Sequence, residues 1–371
     1  MKDKKKLKII AIVAAIVLVI LIGVLTAVII NRNNTKNTVD SNIQSNEAEE
    51  ITVQIEKERD KDVQIFSGTD RPVAVMIDNN VNAWPQYSIN KAYIVYEIIV
   101  EAQETRLMAL FKNTDVDMVG PVRSSRHYFL DYAMENDAIY GHLGWSPKAK
   151  KDISSLSVNN INGQFYDTGS ARTSTSRYWR EPSRRAPHNA FTSIGSLYSI
   201  AKDLGYRTTS DAKSVLNYVS HEVELNDGIN ANTVSIPYSS SNIVKYEYNS
   251  ELGKYERYSK GTKQKDGSTG EDVVVKNIII TFAKNELLNG NDKKGRQDVH
   301  DVGTLDGYYI TNGKAIKIKC EKNNRQSQTV YKDLSGNEIE VNDGNTFIQI
   351  CPVDADVEIE ANEPETADSE E

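Results

Sequence analysis

Two arginine-rich segments hold the residues best suited to chemistry. In residues 120–127, Arg123 and Arg126 flank two serines just before a predicted helix. The second segment, residues 172–188, has five arginines and one acid, with an adjacent tyrosine and tryptophan. Helix N-termini and guanidinium groups bind phosphate or carboxylate, and flat aromatic faces stack on sugar rings or guanidinium groups. The two segments therefore predict an anion-binding cleft for a phosphorylated or uronic glycan.

The residues predicted to bind a ligand are Arg106, Arg123, Ser124, Arg126, Arg180, Arg184, Arg185 and His188, with Tyr178 and Trp179 as stacking faces. A second interpretation stays open, in which these arginines form a solvated basic loop. Their partners would then be Glu97, Glu101 and Glu104, because a glutamate next to or inside an apolar strand needs a partner, and arginine is the usual one.

Three residues are candidates for acid–base catalysis: Glu97, Glu101 and His142. The two glutamates are four residues apart near the end of a predicted strand, which places them about 13 Å apart on one face. That separation is too long for the paired carboxylates of a glycosidase, so each is a candidate general acid or base on its own. His142 ends another predicted strand beside glycines, a position that often faces a cleft.

Other catalytic and metal-binding patterns are not supported. Ser124 or Ser146 with His142 or His188 and Asp78 would supply a Ser–His–acid set, but no G-x-S-x-G elbow is present and a large protein offers many such combinations. No CxxC, HExxH or Cys/His ligand spacing occurs. The sequence therefore predicts no metal site and no cofactor.

The segments that must position these residues mix strands and helices in the first half of the folded region. Predicted strands cover 73–77, 93–100, 106–111 and 138–143, and predicted helices cover 127–137, 146–156 and a segment that starts after Thr192 or Ser193 and closes at Gly205. The fold class is therefore α+β, with α/β as the alternative.

The second half reads as a smaller, mainly antiparallel β domain. Alternating segments are joined by Gly-containing turns at Leu252-Gly253, Asn312-Gly313 and Asp343-Gly344. We place the two domains at residues 66–220 and 221–353. The only cysteines, Cys320 and Cys351, end predicted strands here, and the sequence is compatible both with a disulfide between them and with two buried free thiols.

The chain begins with a basic stub (1–8) and a charge-free apolar run (9–30) that is long enough to span a bilayer. The positive-inside rule places the stub in the cytoplasm and the rest outside the cell membrane, in a single-pass topology. A polar stalk (31–65) follows, and an acidic disordered tail (354–371) ends the chain. Retention and later cleavage of the apolar run both stay open.

Net charge argues against a polyanion-coating protein. The 371 residues carry a formal charge of −8, but the last eighteen residues hold nine acids and no base, which leaves the rest at +1. A local basic patch is still compatible with that balance. Because the basic segments are predicted to lie outside the membrane, nucleic acid is not an expected partner.

Several motifs resemble the YerB-like envelope lipoprotein family of Firmicutes. They are RPVAVMIDN (71–79), GPVRSSR (120–126), YGHLGWSP (140–147), RAPHN (185–189) and, in the second half, YYITNGKAIKIKC (308–320) and DGNTFIQICP (343–352). The resemblance implies a membrane-tethered extracytoplasmic protein with a smaller second domain, associated with wall-synthesis machinery, and it supplies no catalytic residues. This chain lacks a lipobox cysteine and has Cys320 and Phe347 where tryptophans are expected.

Two functional hypotheses follow. In the first, the protein is a membrane-anchored binding or scaffold module that recognises an anionic wall polymer or a wall-synthesis protein through the arginine-rich cleft. In the second, it is a hydrolase or transferase that acts on an anionic envelope polymer, with Glu97 or Glu101 as acid or base and His142 assisting.

Overall fold

The computed structural model describes residues 63–290 and 292–361. The predicted membrane helix over 9–30, the basic stub, nearly all of the stalk and the end of the acidic tail lie outside these residues. Within the described residues, no helix is long and apolar enough to cross a membrane. Described residues of the predicted stalk lie against the fold, where the backbone N–H groups of Gln64 and Ile65 donate to the Asp343 carboxylate at 2.8 Å.

The first half has seven strands and three α-helices within the described residues. They are β1 (Val73–Asp78), β2 (Ile94–Ile99), β3 (Thr105–Phe111), α1 (Phe129–Glu135), β4 (Ile139–His142), α2 (Pro147–Ser155), β5 (Asn160–Asn162), β6 (Tyr178–Arg180), β7 (Ala190–Thr192) and α3 (Ile194–Asp203). Short 3-10 turns cover Val81–Ala83, Ile89–Lys91, Glu101–Gln103 and Gly163–Phe165.

The second half is built of strands. They are β8 (Tyr218–Val219), β9 (Ile229–Asn230), β10 (Thr233–Ser239), β11 (Asn242–Asn249), β12 (Lys254–Ser259), β13 (Thr262–Lys263), β14 (Val274–Val275), β15 (Asn277–Leu287), β16 (Gln297–His300), β17 (Gly303–Thr311), β18 (Lys314–Lys322), β19 (Val330–Lys332), β20 (Val341–Asn342), β21 (Thr346–Pro352) and β22 (Glu358–Glu360). A 3-10 turn covers Leu288–Gly290.

One central sheet crosses both halves, in the order β19-β18-β17-β15-β21-β2-β3-β1-β4-β5. The halves meet where β21 pairs in parallel with β2, and β21 also pairs in parallel with β15 on its other side. A second, antiparallel sheet has the order β13-β12-β11-β10-β22. The mixed N-terminal sheet and the antiparallel C-terminal region are thus as the sequence predicts, and the C-terminal strands also extend the N-terminal sheet.

Local sequence explains the elements that carry the site. Strands β1, β2 and β3 are buried along their whole length, as expected for short apolar runs in the middle of a sheet. The Ser146 side chain caps α2 by accepting from the Ala149 N–H, and Pro147 follows at the first helical position. Ser193 caps α3 in the same way, and Gly205 beyond its end has a φ of 73°.

Buried ion pairs join the two halves, each with a carboxylate from the first half and a cation from the second. Arg257 contacts Glu97 at 2.8 Å, and both side chains are almost completely buried. Lys322 contacts Glu135 at 2.6 Å in an equally buried position. Because an unpaired buried charge is costly, each half depends on the other to neutralise its interior charges.

The two cysteines are buried free thiols, so the disulfide alternative is wrong for this fold. Cys320 is on β18 and Cys351 is on β21, with β17 and β15 between them in the sheet. Three inter-strand steps separate their backbones by roughly 14 Å, about twice the Cα separation that a disulfide spans. Burial raises the pKa of the Cys320 thiol to about 12, so it stays protonated.

Candidate functional site

Asp78, at the end of β1, connects the two arginine-rich segments. Its carboxylate lies 3.1 Å from the Arg123 Nε atom and 2.7 Å from the His188 Nδ1 atom, so one oxygen contacts both segments. The loop after β1 supports this position, because the Asn80 N–H also donates to the Asp78 carboxylate. With Nδ1 bound to Asp78, the His188 Nε2 atom makes no hydrogen bond within the described residues.

Three arginines lie together beside Asp78, and we call Arg106, Arg123 and Arg126 the arginine cluster. Arg106 is on β3, directly opposite Asp78 in the register of β1. Arg126 forms a two-pronged ion pair with Glu101, at 2.6 and 2.8 Å. The cluster therefore has two neighbouring carboxylates for three guanidinium groups.

Arg106 is the unmatched member of the arginine cluster. Its side chain donates to the Ser124 carbonyl oxygen at 2.5 Å and makes no ion pair within the described part of the chain. The residue is only 7% exposed. Burial, followed by the charges of Arg126 and Arg123, lowers the pKa of Arg106 to about 10, so the guanidinium is still charged at neutral pH. An anion bound here would stabilise it.

A cleft of about 640 Å³ opens next to His188. It is lined by Asn82, Trp84, Pro85, Tyr87, Ser183, Arg184, Arg185, Ala186 and His188. Asp78 links this cleft to the arginine cluster, because it binds His188 on one side and Arg123 on the other. The structure thus brings both arginine-rich segments to one region of the surface.

The cleft arginines have different roles. Arg184 donates to the carbonyl oxygens of Ala83 and Pro85, at 2.7 and 2.8 Å, and its guanidinium packs against the rings of Tyr87 and Phe191. It therefore holds one wall of the cleft to the other and has little freedom to bind a ligand. Arg185 is exposed on the cleft and forms no ion pair within the described residues.

Arg180 and the predicted stacking rings do not face the cleft. Arg180 pairs with Asp167 at 2.6 Å and also donates to the Asn189 side chain. Tyr178 and Trp179 are 0% and 1% exposed, because they form β6 and pack into the interior. The expectation that these two rings stack on a sugar is therefore wrong.

Glu97 is closed off from solvent. It is 0% exposed, and its carboxylate accepts from Asn79, Thr105 and Arg257 at 2.7 to 3.0 Å. A carboxylate with all of these partners and no exposed surface cannot reach a polymer. Sequence reasoning found the need for an arginine partner but placed that arginine in the wrong half.

Glu101 and His142 are also held by structural contacts. Burial raises the pKa of Glu101, but the hydrogen bonds and charge of Arg126 outweigh it and lower the pKa below its usual value. His142 is completely buried, with Nδ1 at 2.8 Å from the Gly144 carbonyl oxygen and Nε2 at 3.1 Å from the Asn160 side chain. Burial lowers the pKa of His142 to about 4, which keeps the ring neutral. Its predicted cleft position is wrong.

The alternative interpretation, that the arginines pair with the three glutamates, holds for one of them. Glu101 binds Arg126, whereas Glu97 binds Arg257 and Glu104 binds Lys260 at 2.6 Å. The importance of Asp78 as the link between the segments was missed. Its position just after a buried strand, where side chains emerge at a sheet edge, was the available signal.

Metal binding has no support in this part of the molecule. Across residues 63–290 and 292–361, no group of three or more His, Cys, Asp or Glu side chains is placed to hold a metal ion. The charged groups at the site are chiefly guanidinium groups, which attract anions and repel cations.

Two regions of the chain, one in each half of the fold, match the models of one protein family. Residues 60–207 match the model of the N-terminal domain of a protein of unknown function (DUF3048), and residues 234–348 match the model of its C-terminal domain. The chain belongs to this DUF3048 family, as its resemblance to YerB-like proteins implies.

One protein sequence and one solved structure are similar to most of this chain. The chain is 32% identical over 293 residues to the Bacillus subtilis protein named "Putative lipoprotein YerB", a match that covers 76% of this chain and 81% of the relative. The crystal structure of the YerB protein from Bacillus subtilis superposes with a TM-score of 0.69 at 30% identity, and covers 80% of this chain and 96% of that one.

Proposed function

We propose that this chain is a membrane-anchored, extracytoplasmic binding module that holds an anionic cell-envelope ligand at the arginine cluster and the adjoining cleft. The observation that carries this proposal is Arg106, a buried and charged guanidinium with two further arginines beside it and no ion pair of its own in the described residues. Such a group is costly to leave unmatched and gains most from a bound carboxylate or phosphate.

The extracytoplasmic location rests on two supports. The lysine-rich stub and the apolar run at 9–30 suit a cytoplasmic N-terminus and an outward C-terminal part. The relative YerB carries the word lipoprotein in its name, which indicates a membrane-associated envelope protein. Protease added outside intact protoplasts should digest the C-terminal part, and full protection of that part would contradict this orientation.

Anion binding is tested with the full-length chain in detergent micelles, titrated with inorganic phosphate and with purified anionic wall polymer by calorimetry. Arg106→Gln should weaken binding at least about tenfold, because hydrogen bonds to charged groups are worth about 1.5–3 kcal/mol. Arg177→Gln is the matched control, since Arg177 is half-exposed, pairs with Asp203 and does not line the cleft. No binding of either probe to the wild-type chain would overturn the proposal.

A second candidate, hydrolysis of an envelope polymer, is favoured by one observation. His188 lines the cleft, Asp78 holds its Nδ1 atom, and its Nε2 atom has no partner in the described residues. An imidazole oriented in this way suits a general base that activates water. New product from the incubated polymer that disappears in His188→Ala would support hydrolysis, and unchanged polymer would leave the binding module as the function.

A further inference from the structure

An exposed aromatic ring lies on a rigid turn near the arginine cluster. Phe165, the last residue of the 3-10 turn Gly163–Phe165, is 73% exposed. Its ring contacts the half-buried ring of Trp145 edge to face, with the centroids 6.2 Å apart. We call these two rings the aromatic platform. A single exposed apolar side chain is common on protein surfaces, so any role for Phe165 has to be argued from its neighbours.

The platform has a fixed backbone beneath it. The Asn162 side chain accepts from the Gln164 N–H at 3.2 Å and from the Gly144 N–H at 2.9 Å, so it ties the turn to the loop that carries Trp145. At the start of the turn, a Cβ on Gly163 would lie 2.4 Å from the Tyr178 ring. Only glycine lets the turn pack this closely, and Phe165 is therefore presented by a well-defined backbone.

Hydrogen bonds connect the platform loop to the arginine cluster. The Leu143 N–H donates to the Arg123 carbonyl oxygen at 2.9 Å, and the Ser124 hydroxyl donates to the Leu143 carbonyl oxygen at 2.9 Å. A Cβ on Gly144 would lie 3.1 Å from the Ser124 Oγ atom and 3.5 Å from the Gln164 side chain. The serine between two cluster arginines thus packs directly against the loop and turn that carry the platform.

Positive charge extends onto the platform itself. The Lys150 ammonium group, on α2, lies 5.6 Å from the centroid of the Trp145 ring. A ligand that covers Phe165 would therefore meet an apolar ring surface close to the Lys150 ammonium group, on a turn that packs against the Ser124 of the arginine-rich segment. Because the surrounding charge is positive, a negatively charged molecule should bind this surface more tightly than a neutral one.

From this juxtaposition we infer that the aromatic platform is a subsite for a sugar ring of an anionic glycan. The C–H face of a pyranose packs on the exposed Phe165 ring, and acidic substituents of the same oligosaccharide reach the arginine cluster. This inference rests on the proposed anion-binding function and names its ligand class. The sequence predicted the same chemistry at Tyr178 and Trp179, which are buried, whereas the structure exposes Phe165 beside the half-buried Trp145.

The test compares short oligogalacturonates, neutral oligosaccharides of the same length and inorganic phosphate as ligands of the full-length chain in detergent. In Phe165→Ala, the dissociation constant for oligogalacturonate should rise about tenfold, since an aromatic contact of this kind is worth about one factor of ten. The constant for inorganic phosphate should not change. Phe165→Tyr should restore oligogalacturonate binding, and neutral oligosaccharides should bind more weakly than charged ones.

Leu334→Ala is the matched control, because Leu334 is 66% exposed on the second half of the chain and should leave all three ligands unaffected. Unchanged oligogalacturonate affinity in Phe165→Ala, with phosphate still bound, would overturn the glycan subsite and leave the proposed function intact. If the wild-type chain does not bind inorganic phosphate, the proposed function itself is wrong. A wild-type dimer that Phe165→Ala converts to monomer would also overturn the subsite, because the ring would then belong to a self-association surface.

Discussion

Two regions of the molecule bury charged groups, and each stabilises them differently. One is the interior between the two halves, and the other is the arginine cluster. Each contains charged groups that are largely removed from water. In the interior, one location has a surplus of acid, where Asp301 lies beside Asp131, and burial with the neighbouring Asp131 charge raises the pKa of Asp301 to about 8. At the cluster, the surplus is a guanidinium, that of Arg106.

The two regions differ in whether the excess charge can be removed by protonation. A buried carboxylate can take up a proton and become neutral, and Asp301 does so at neutral pH. Arg106 keeps its charge, because its pKa is still about 10. The neighbouring Glu101 and Asp78 carboxylates offset part of this charge, and an added anion would balance the remainder. The buried charges between the two halves are therefore neutralised by the protein itself, whereas the charge of the arginine cluster is stabilised further by a bound anion.

The largest effect on stability is expected from breaking a buried ion pair. Arg257→Met leaves Glu97 buried without its cation, and the free energy of unfolding should fall by about 3–5 kcal/mol. Denaturant melts monitored by fluorescence would measure it. The double variant Glu97→Gln/Arg257→Met should recover part of the loss, and a single-variant loss below about 1 kcal/mol would mean that the interior pair is less tightly coupled than its burial indicates.

An intermediate effect on stability is expected at Asp301, the carboxyl group that stays protonated. The folded pKa of Asp301 is raised above its unfolded value, so the stability it contributes is present at acidic pH and is lost as the pH rises to about 8. Asp301→Asn does not titrate. Its unfolding free energy relative to wild type should therefore increase steadily between pH 4 and pH 8, by at least about 1 kcal/mol. A constant difference across this range would show that Asp301 is ionised in the folded protein.

The smallest effect on stability is expected at the cluster. Arg106→Met removes one hydrogen bond to the Ser124 carbonyl oxygen and also removes an unmatched charge beside two arginines. These contributions oppose each other, and the unfolding free energy should change by less than about 1 kcal/mol. Thermal melts in a buffer free of phosphate and sulfate would measure this. A loss as large as that of Arg257→Met would contradict the distinction between the two regions.

Sequence patterns gave the elements of the fold more reliably than their partners. The apolar run at 73–77, the Ser-Pro cap at Ser146 and the turn at Asn312-Gly313 all predicted local structure that is present. These signals are local, because they depend on neighbouring residues alone. The pairing of β21 with β2 brings together residues 94–98 and 346–350, and no local pattern specifies it.

The same limit applies to the site. The arginine-rich segments could be recognised by composition, and Asp78 contacts one residue of each, Arg123 and His188. The partner of Glu97 could not be found in this way, because Arg257 is 160 residues away. A weaker signal existed in the period-two pattern of β12, where Tyr255, Arg257 and Ser259 share the buried face. His142 was misplaced because a strand end beside glycines can pack inward as readily as outward.

The position of β21 has a consequence for how the chain acquires its fold during synthesis. This strand lies between β2 and β15 in the central sheet, yet it is formed by residues 346–352, close to the C-terminus. Until those residues have emerged, β2 and β15 each present an unpaired, hydrophobic edge, and such edges invite aggregation. The two halves cannot mature one after the other, and a chain truncated shortly before Thr346 should be a substrate for chaperones and proteases.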